Sequence, residues 1–183
     1  MKAKPDYKDL TITDEAFQNY VRNHNKLTLE CLEGESLTPE LVVITKNPEN
    51  MQDEMTLCAL AVPFNEKEEK RNILFQVGKK FYDDRQFVMA VILASECWCA
   101  KRHKDGDWKD VQPRHDPLRA EAILVAGVGL PGNQKQRMVI TTPIRRDEKN
   151  NMVIDGESEE VTEADFFLIS HFWRGYLSQV KQQ

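Results

Sequence analysis

The sequence lacks most of the features that assign a protein at sight. No apolar run approaches the roughly 20 residues needed to cross a bilayer. The opening MKAKPDYKDL also has no apolar core of the kind a signal peptide carries. No membrane span is expected, and the expected location is cytoplasmic. The four cysteines, Cys31, Cys58, Cys97 and Cys99, contain no CxxC pair, which removes the common zinc knuckles and thioredoxin-like motifs. In a reducing compartment they are free thiols, expected as small core hydrophobes. GxSxG, HExxH and GxxxxGK[ST] are missing too, and with them the signatures of α/β-hydrolases, helical zinc proteases and P-loop NTPases. Nor is there an excess of positive charge: 25 basic residues face 30 acidic ones, for a net charge of −5. Binding along a phosphate backbone needs a basic face, so nucleic acid is not the expected partner.

What is present suits one ordinary globular domain: 183 residues, 40% hydrophobic and 30% charged, without repeats or low-complexity tracts. ITDEAFQNYVRNHNKL reads as a helix over about 13–27. Thr13 is the cap, Ile12 and Phe17 the staple, and Phe17, Tyr20, Val21, His24 and Leu27 the stripe. PELVVITK, with its β-branched run, and MTLCALAV read as two strands of a hairpin. NEKEEKRNILFQVGKKFYDD is a helix with an Asn65–Glu68 capping pair, a Glu66–Lys70 ion pair and a buried line of Ile73, Leu74, Val77 and Phe81. QFVMAVILASECWCA is apolar on both alternating faces, the mark of a central strand covered twice.

Further along, LRAEAILVAGVGLPGNQKQRMVITTPIRR reads as two long strands joined at LPGN, DEKNN as a turn and MVID as a short edge strand. VTEADFFLISHFWRGYLSQV reads as a helix capped by Thr162 with an aromatic stripe. The predicted fold is α+β: a mostly antiparallel sheet of about five strands in the order α-β-β-α-β-β-β-(β)-α, with a sheet core over about 40–155 and a C-terminal helix over about 162–181.

Chemistry concentrates around ASECWCA. Strand alternation puts Glu96 and Trp98 on one face and Cys97 and Cys99 on the other, beside Val91 and Leu93. In the following strand Arg119 and Glu121 share a face. If the two strands are antiparallel neighbours, Glu96 and Glu121 stand side by side with Arg119 near them. Paired carboxylates hold Mg²⁺ or Mn²⁺, or share a proton as acid and base, with His115 or Arg119 assisting. The competing reading makes them charges at wet strand ends. Zinc held by Cys97, Cys99, His103 and His115 has the wrong spacing for the usual sites. Gly127 to Gly132 spells GxGxxG, but β-branched NQKQRMVITTPI follows where a dinucleotide site needs a helix. A hairpin turn and a bulge explain those glycines better.

The 17 residues 101–117 have no period and carry balanced charge around Trp108 and Arg114. A tryptophan on a long charged loop suits contact with a protein. Ser95-Glu96-Cys97-Trp98, followed by Pro117-Leu118-Arg119-Ala120-Glu121-Ala122-Ile123-Leu124-Val125, resembles a pattern in small uncharacterised prokaryotic and phage proteins. The resemblance covers roughly residues 40–146 and implies that strands 86–100 and 118–129 belong together; it implies no activity. Two functional expectations follow. The first is a non-catalytic binding or accessory module, phage-like, that presents Trp108, Arg114 and Trp98 to a protein partner and needs no cofactor. The second is a divalent-metal hydrolase that uses Glu96 and Glu121 with Mg²⁺ or Mn²⁺. The aromatic cluster Phe166, Phe167, Phe172, Trp173 and Tyr176 is either a homo-oligomer contact or the closure of the core.

Overall fold

The computed structural model describes residues 11–32, 34, 36–47, 52–60, 67–84, 87–99, 120–163 and 166–178. Helix α1 (Asp14–Glu30) starts where the cap dictates: the Thr13 hydroxyl accepts the Ala16 N–H at 3.1 Å, and Asp14 and Glu15 sit at the positive end of the helix. Ile12 and Phe17 join one core cluster, as a staple requires. The buried line is Phe17, Val21, Asn25 and Thr28, whereas Leu27 is 56% exposed. The helix is thus rotated slightly from the predicted stripe. The Thr28 hydroxyl satisfies itself on the His24 carbonyl at 2.9 Å.

Strands β1 (Glu40–Lys46) and β2 (Asp53–Ala59) form the expected antiparallel hairpin. Helix α2 (Lys67–Asp83) buries Leu74 and Phe81, with Ile73 and Val77 half-buried beside them. Asn65 and Glu66, of the predicted cap and ion pair, lie outside the described residues. Strand β3 (Phe87–Cys99) is buried from Val88 to Ser95 and pairs with β1 on one side and β4 (Ala120–Gly129) on the other. Strand β5 (Arg137–Arg146) follows β4 after a short 3-10 turn. Two edge segments, β6 (Met152–Ile154) and β7 (Glu159–Thr162), both pair with β5, and α3 (Phe167–Ser178) closes the described chain. The sheet order is β2-β1-β3-β4-β5-β6, with β7 also on β5, and every pairing is antiparallel.

Both sheet faces are covered, which is why β3 has no polar face over most of its length. Val42, Ile44, Ala90, Ile92, Ile123, Val125 and Ile140 meet Phe17 and Val21 of α1. The opposite face, Leu41, Val43, Val91, Leu93 and Ala126, meets Leu74 of α2 and Ile169, Phe172, Trp173 and Tyr176 of α3. One irregularity reconciles the pattern with β1: Ile44 pairs with Ala90 and Thr45 with Val88, so Met89 is the extra residue of a bulge. Met89 and Ala90 therefore both reach the α1 side.

The GxGxxG stretch forms a hairpin, as its sequence context predicts, but not a bulge. Gly127 and Gly129 pair in unbroken register with Ile92 and Ala90. Gly127 is there for closeness: a Cβ would overlap the Val21 side chain and lie 3.1 Å from the Phe17 ring. Gly132 makes the turn, with φ of 101°.

Strand β7 escapes sequence reading, because Glu-Glu-Val-Thr has no apolar alternation and all four residues are exposed. Its presence corrects the predicted cap: Thr162 pairs with Met138 in the sheet, and α3 begins at Phe167. Strands β6 and β7 are two pieces of one edge, slipped by two residues: Ile144 pairs with Ile154, but Thr141 with Glu159. Pro143 explains the break. Its carbonyl accepts the Asp155 N–H at 2.9 Å on that edge, so the side where its own donor is missing is the side where pairing lapses. The bidentate Arg22–Glu160 pair, at 2.7 and 2.9 Å, ties α1 to β7. Phe172, Trp173 and Tyr176 are buried in this chain under α2, with Trp173 edge-on to both Phe172 and Tyr176 and those two rings nearly parallel. Among the described residues, no helix is long and apolar enough to cross a membrane.

Candidate functional site

The end of the sheet where β3 finishes and β4 begins gathers the predicted residues. Pairing of Glu96 with Ile123 and of Trp98 with Glu121 makes Glu96 and Glu121 diagonal neighbours on the α1 face. They do stand together. Between them lies a residue the sequence reading passed over: Arg146, at the end of β5. Its Nη2 donates to Glu96 Oε2 at 2.9 Å and its Nε to Glu121 Oε2 at 2.7 Å. The other oxygen of Glu96, Oε1, accepts the backbone N–H of Leu37 from the segment that leads into β1. Three strands and a loop thus meet on one guanidinium and two carboxylates.

The three side chains are each about a quarter exposed: 29% for Glu96, 24% for Glu121 and 23% for Arg146. Burial by itself lowers the Arg146 pKa, but the hydrogen bond to Glu121 and the charges of Glu121 and Glu96 outweigh it, and the net shift is upward. The guanidinium is a permanent cation and fills the place between the carboxylates where a divalent ion would sit. Among the described residues, no three of His, Cys, Asp and Glu form a group that could hold a metal ion.

Arg146 was legible in principle. Glu121 pairs with Ile144, so Arg146, two residues on, shares its face. The turn at LPGN sets that register, and counting outward from it reaches Arg146.

Trp98, the cross-strand partner of Glu121, is 41% exposed on this face. Trp108, Arg114, His115 and Arg119 lie outside the described residues, as does His103. On the opposite face, Cys97 and Cys99 follow Val91 and Leu93 as predicted, but beyond the buried cluster, both half-exposed with their sulfurs 3.7 Å apart. The expectation of four core thiols is corrected: Cys31 is exposed and Cys58 half-buried, because both occupy element ends or an edge strand. Of the remaining histidines, His24 on α1 and His171 on α3 both have lowered pKa values, chiefly through burial.

Fold and site together define a three-layer antiparallel α+β protein with an arginine-bridged carboxylate pair at one end of its sheet. Comparison with protein-family models, with curated proteins and with solved structures finds no match to this chain.

Proposed function

We propose that the protein is a non-catalytic binding module whose contact surface is the end of the sheet around Trp98, together with residues 101–117, which follow β3 in the sequence. One observation carries the reading: the two neighbouring carboxylates are already engaged, Glu96 on both oxygens by Arg146 and the Leu37 amide and Glu121 on Oε2 by Arg146. An acid–base pair needs a carboxylate free to take or give a proton, and a metal site needs lone pairs not already donated into. Beside this closed cluster an indole remains 41% exposed, a side chain that favours contact with another macromolecule. The balanced charge of 101–117 and the net charge of −5 support a protein partner rather than nucleic acid.

Replacing Trp98, Trp108 and Arg114 together with alanine should lower capture of the partner from source-cell lysate at least tenfold, read by quantitative mass spectrometry, with Tm within a few degrees of wild type. Unchanged capture by the folded variant would remove this surface from consideration. The rival reading, a hydrolase using Mg²⁺ or Mn²⁺, draws on the fact that Glu96 and Glu121 both reach one cation. It requires Arg146 to give up its place.

A further inference from the structure

We infer that Cys97 and Cys99 form a thiol–disulfide exchange site, closing to a reversible intrastrand disulfide at the expense of a low-molecular-weight disulfide of the glutathione type. The sulfurs stand 3.7 Å apart on one face of one strand, and closure to about 2.05 Å brings the two Cβ atoms to within about 4.5 Å by bending the strand between them. Room for the bridge exists on the neighbouring strand as well. Cys97 pairs with Ala122 and Cys99 with Ala120, so the two cross-strand neighbours on that face are single methyl groups. Neither thiol is sealed in the core, which leaves a path for a small disulfide to approach.

The two thiols also divide the labour. The hydrogen bond between the two sulfurs lowers the Cys99 pKa to about 7 against the opposing effects of burial and of Glu159 on β7. Cys97 is pushed up, first by the same hydrogen bond and then by burial, with Lys70 of α2 opposing. The pair therefore loses its first proton readily and its second with difficulty. The downward shift at Cys99 favours its thiolate, the nucleophilic form.

The exchange balances in two steps. Cys99 thiolate attacks one sulfur of the small disulfide; the S–S bond breaks and the first thiolate leaves, taking up a proton. Cys97 then gives up its proton and attacks Cys99 Sγ, expelling the second thiolate, which is protonated in turn. Two electrons and two protons pass from the cysteine pair to two small thiols. Residues i and i+2 of a strand span about 6.8 Å, the upper limit for a disulfide, so the closed form is strained and reopens with a dithiol reductant.

Intact-mass and peptide mapping of the wild-type chain, treated with oxidised glutathione and quenched with acid, tests this. The expected product has lost two hydrogens, carries a Cys97–Cys99 link and no lasting adduct at either residue, and reverts with dithiothreitol. Cys97→Ser should instead trap glutathione on Cys99, with release slowed at least tenfold. Stable, independent adducts on Cys97 and Cys99 in the wild-type chain, or no reaction at either, would overturn the assignment. The wild-type mapping decides the matter even if Cys97→Ser fails to fold.

Discussion

Gly175→Ala and Gly78→Ala should each lower stability by about 3 kcal/mol, a fall in Tm on the order of 10 °C by calorimetry or circular dichroism. Ordinary helix physics points the other way, since alanine is favoured over glycine inside a helix by about 1 kcal/mol. The difference lies in how α2 and α3 meet. A Cβ on Gly175 would overlap the Phe75 carbonyl oxygen and lie 2.8 Å from its carbon. A Cβ on Gly78 would overlap the Phe172 carbonyl oxygen and lie 2.9 Å from that carbon. Each helix thus uses a glycine to receive the backbone of the other. No rotamer change relieves a clash with main chain, so the helices must separate, and the ring contacts across the crossing, Phe81 on Phe172 and Tyr82 on Tyr176, are lost. Both substitutions force the same separation, so the double variant should lose clearly less than the sum of the two. A change within 1 kcal/mol of wild type would show that the crossing has slack.

Arg146→Met should cost about 2 kcal/mol, and Arg146→Lys about half of that, by chemical denaturation. Methionine keeps most of the packing but leaves Glu96 and Glu121 facing each other with the Leu37 amide as their remaining partner in the cluster. Breaking a fully buried pair costs roughly 3–5 kcal/mol. The quarter exposure of these side chains lets water recover part of that, hence the lower figure. Lysine restores the charge, but a point cation cannot reproduce two directed bonds from Nε and Nη2. The triple variant Glu96→Gln, Glu121→Gln, Arg146→Met should recover most of the loss, because it removes the unpaired charges together with their partner. An Arg146→Met protein as stable as wild type would mean that the bridge contributes nothing.

The sequence carries the framework of this fold more fully than its site. The doubly covered strand β3 announces itself through an unbroken apolar run, and α1 through Thr13 and its following acids. Strand β7 does not, because an exposed edge segment has no burial to impose alternation on Glu159–Thr162. The same gap hid the true start of α3, since a threonine followed by acids looks like a cap until the backbone is seen pairing with Met138. At the site, alternation along single strands correctly paired Glu96 with Trp98 and Cys97 with Cys99. The bridge between strands, Arg146, needed a register two strands away. The glycines at 78 and 175 look merely unfavourable in helical sequence; only a helix crossing gives them a purpose.

Arg146 neutralises the Glu96–Glu121 pair from the position a metal ion would need. A thermal-shift series of the wild-type protein in millimolar Mn²⁺ and Mg²⁺ tests it most directly, with Glu96→Gln alongside. Neither ion is expected to move the wild-type Tm by more than it moves that of Glu96→Gln. A rise of several degrees in the wild type that disappears in Glu96→Gln would contradict it, and would return the carboxylate pair to metal chemistry.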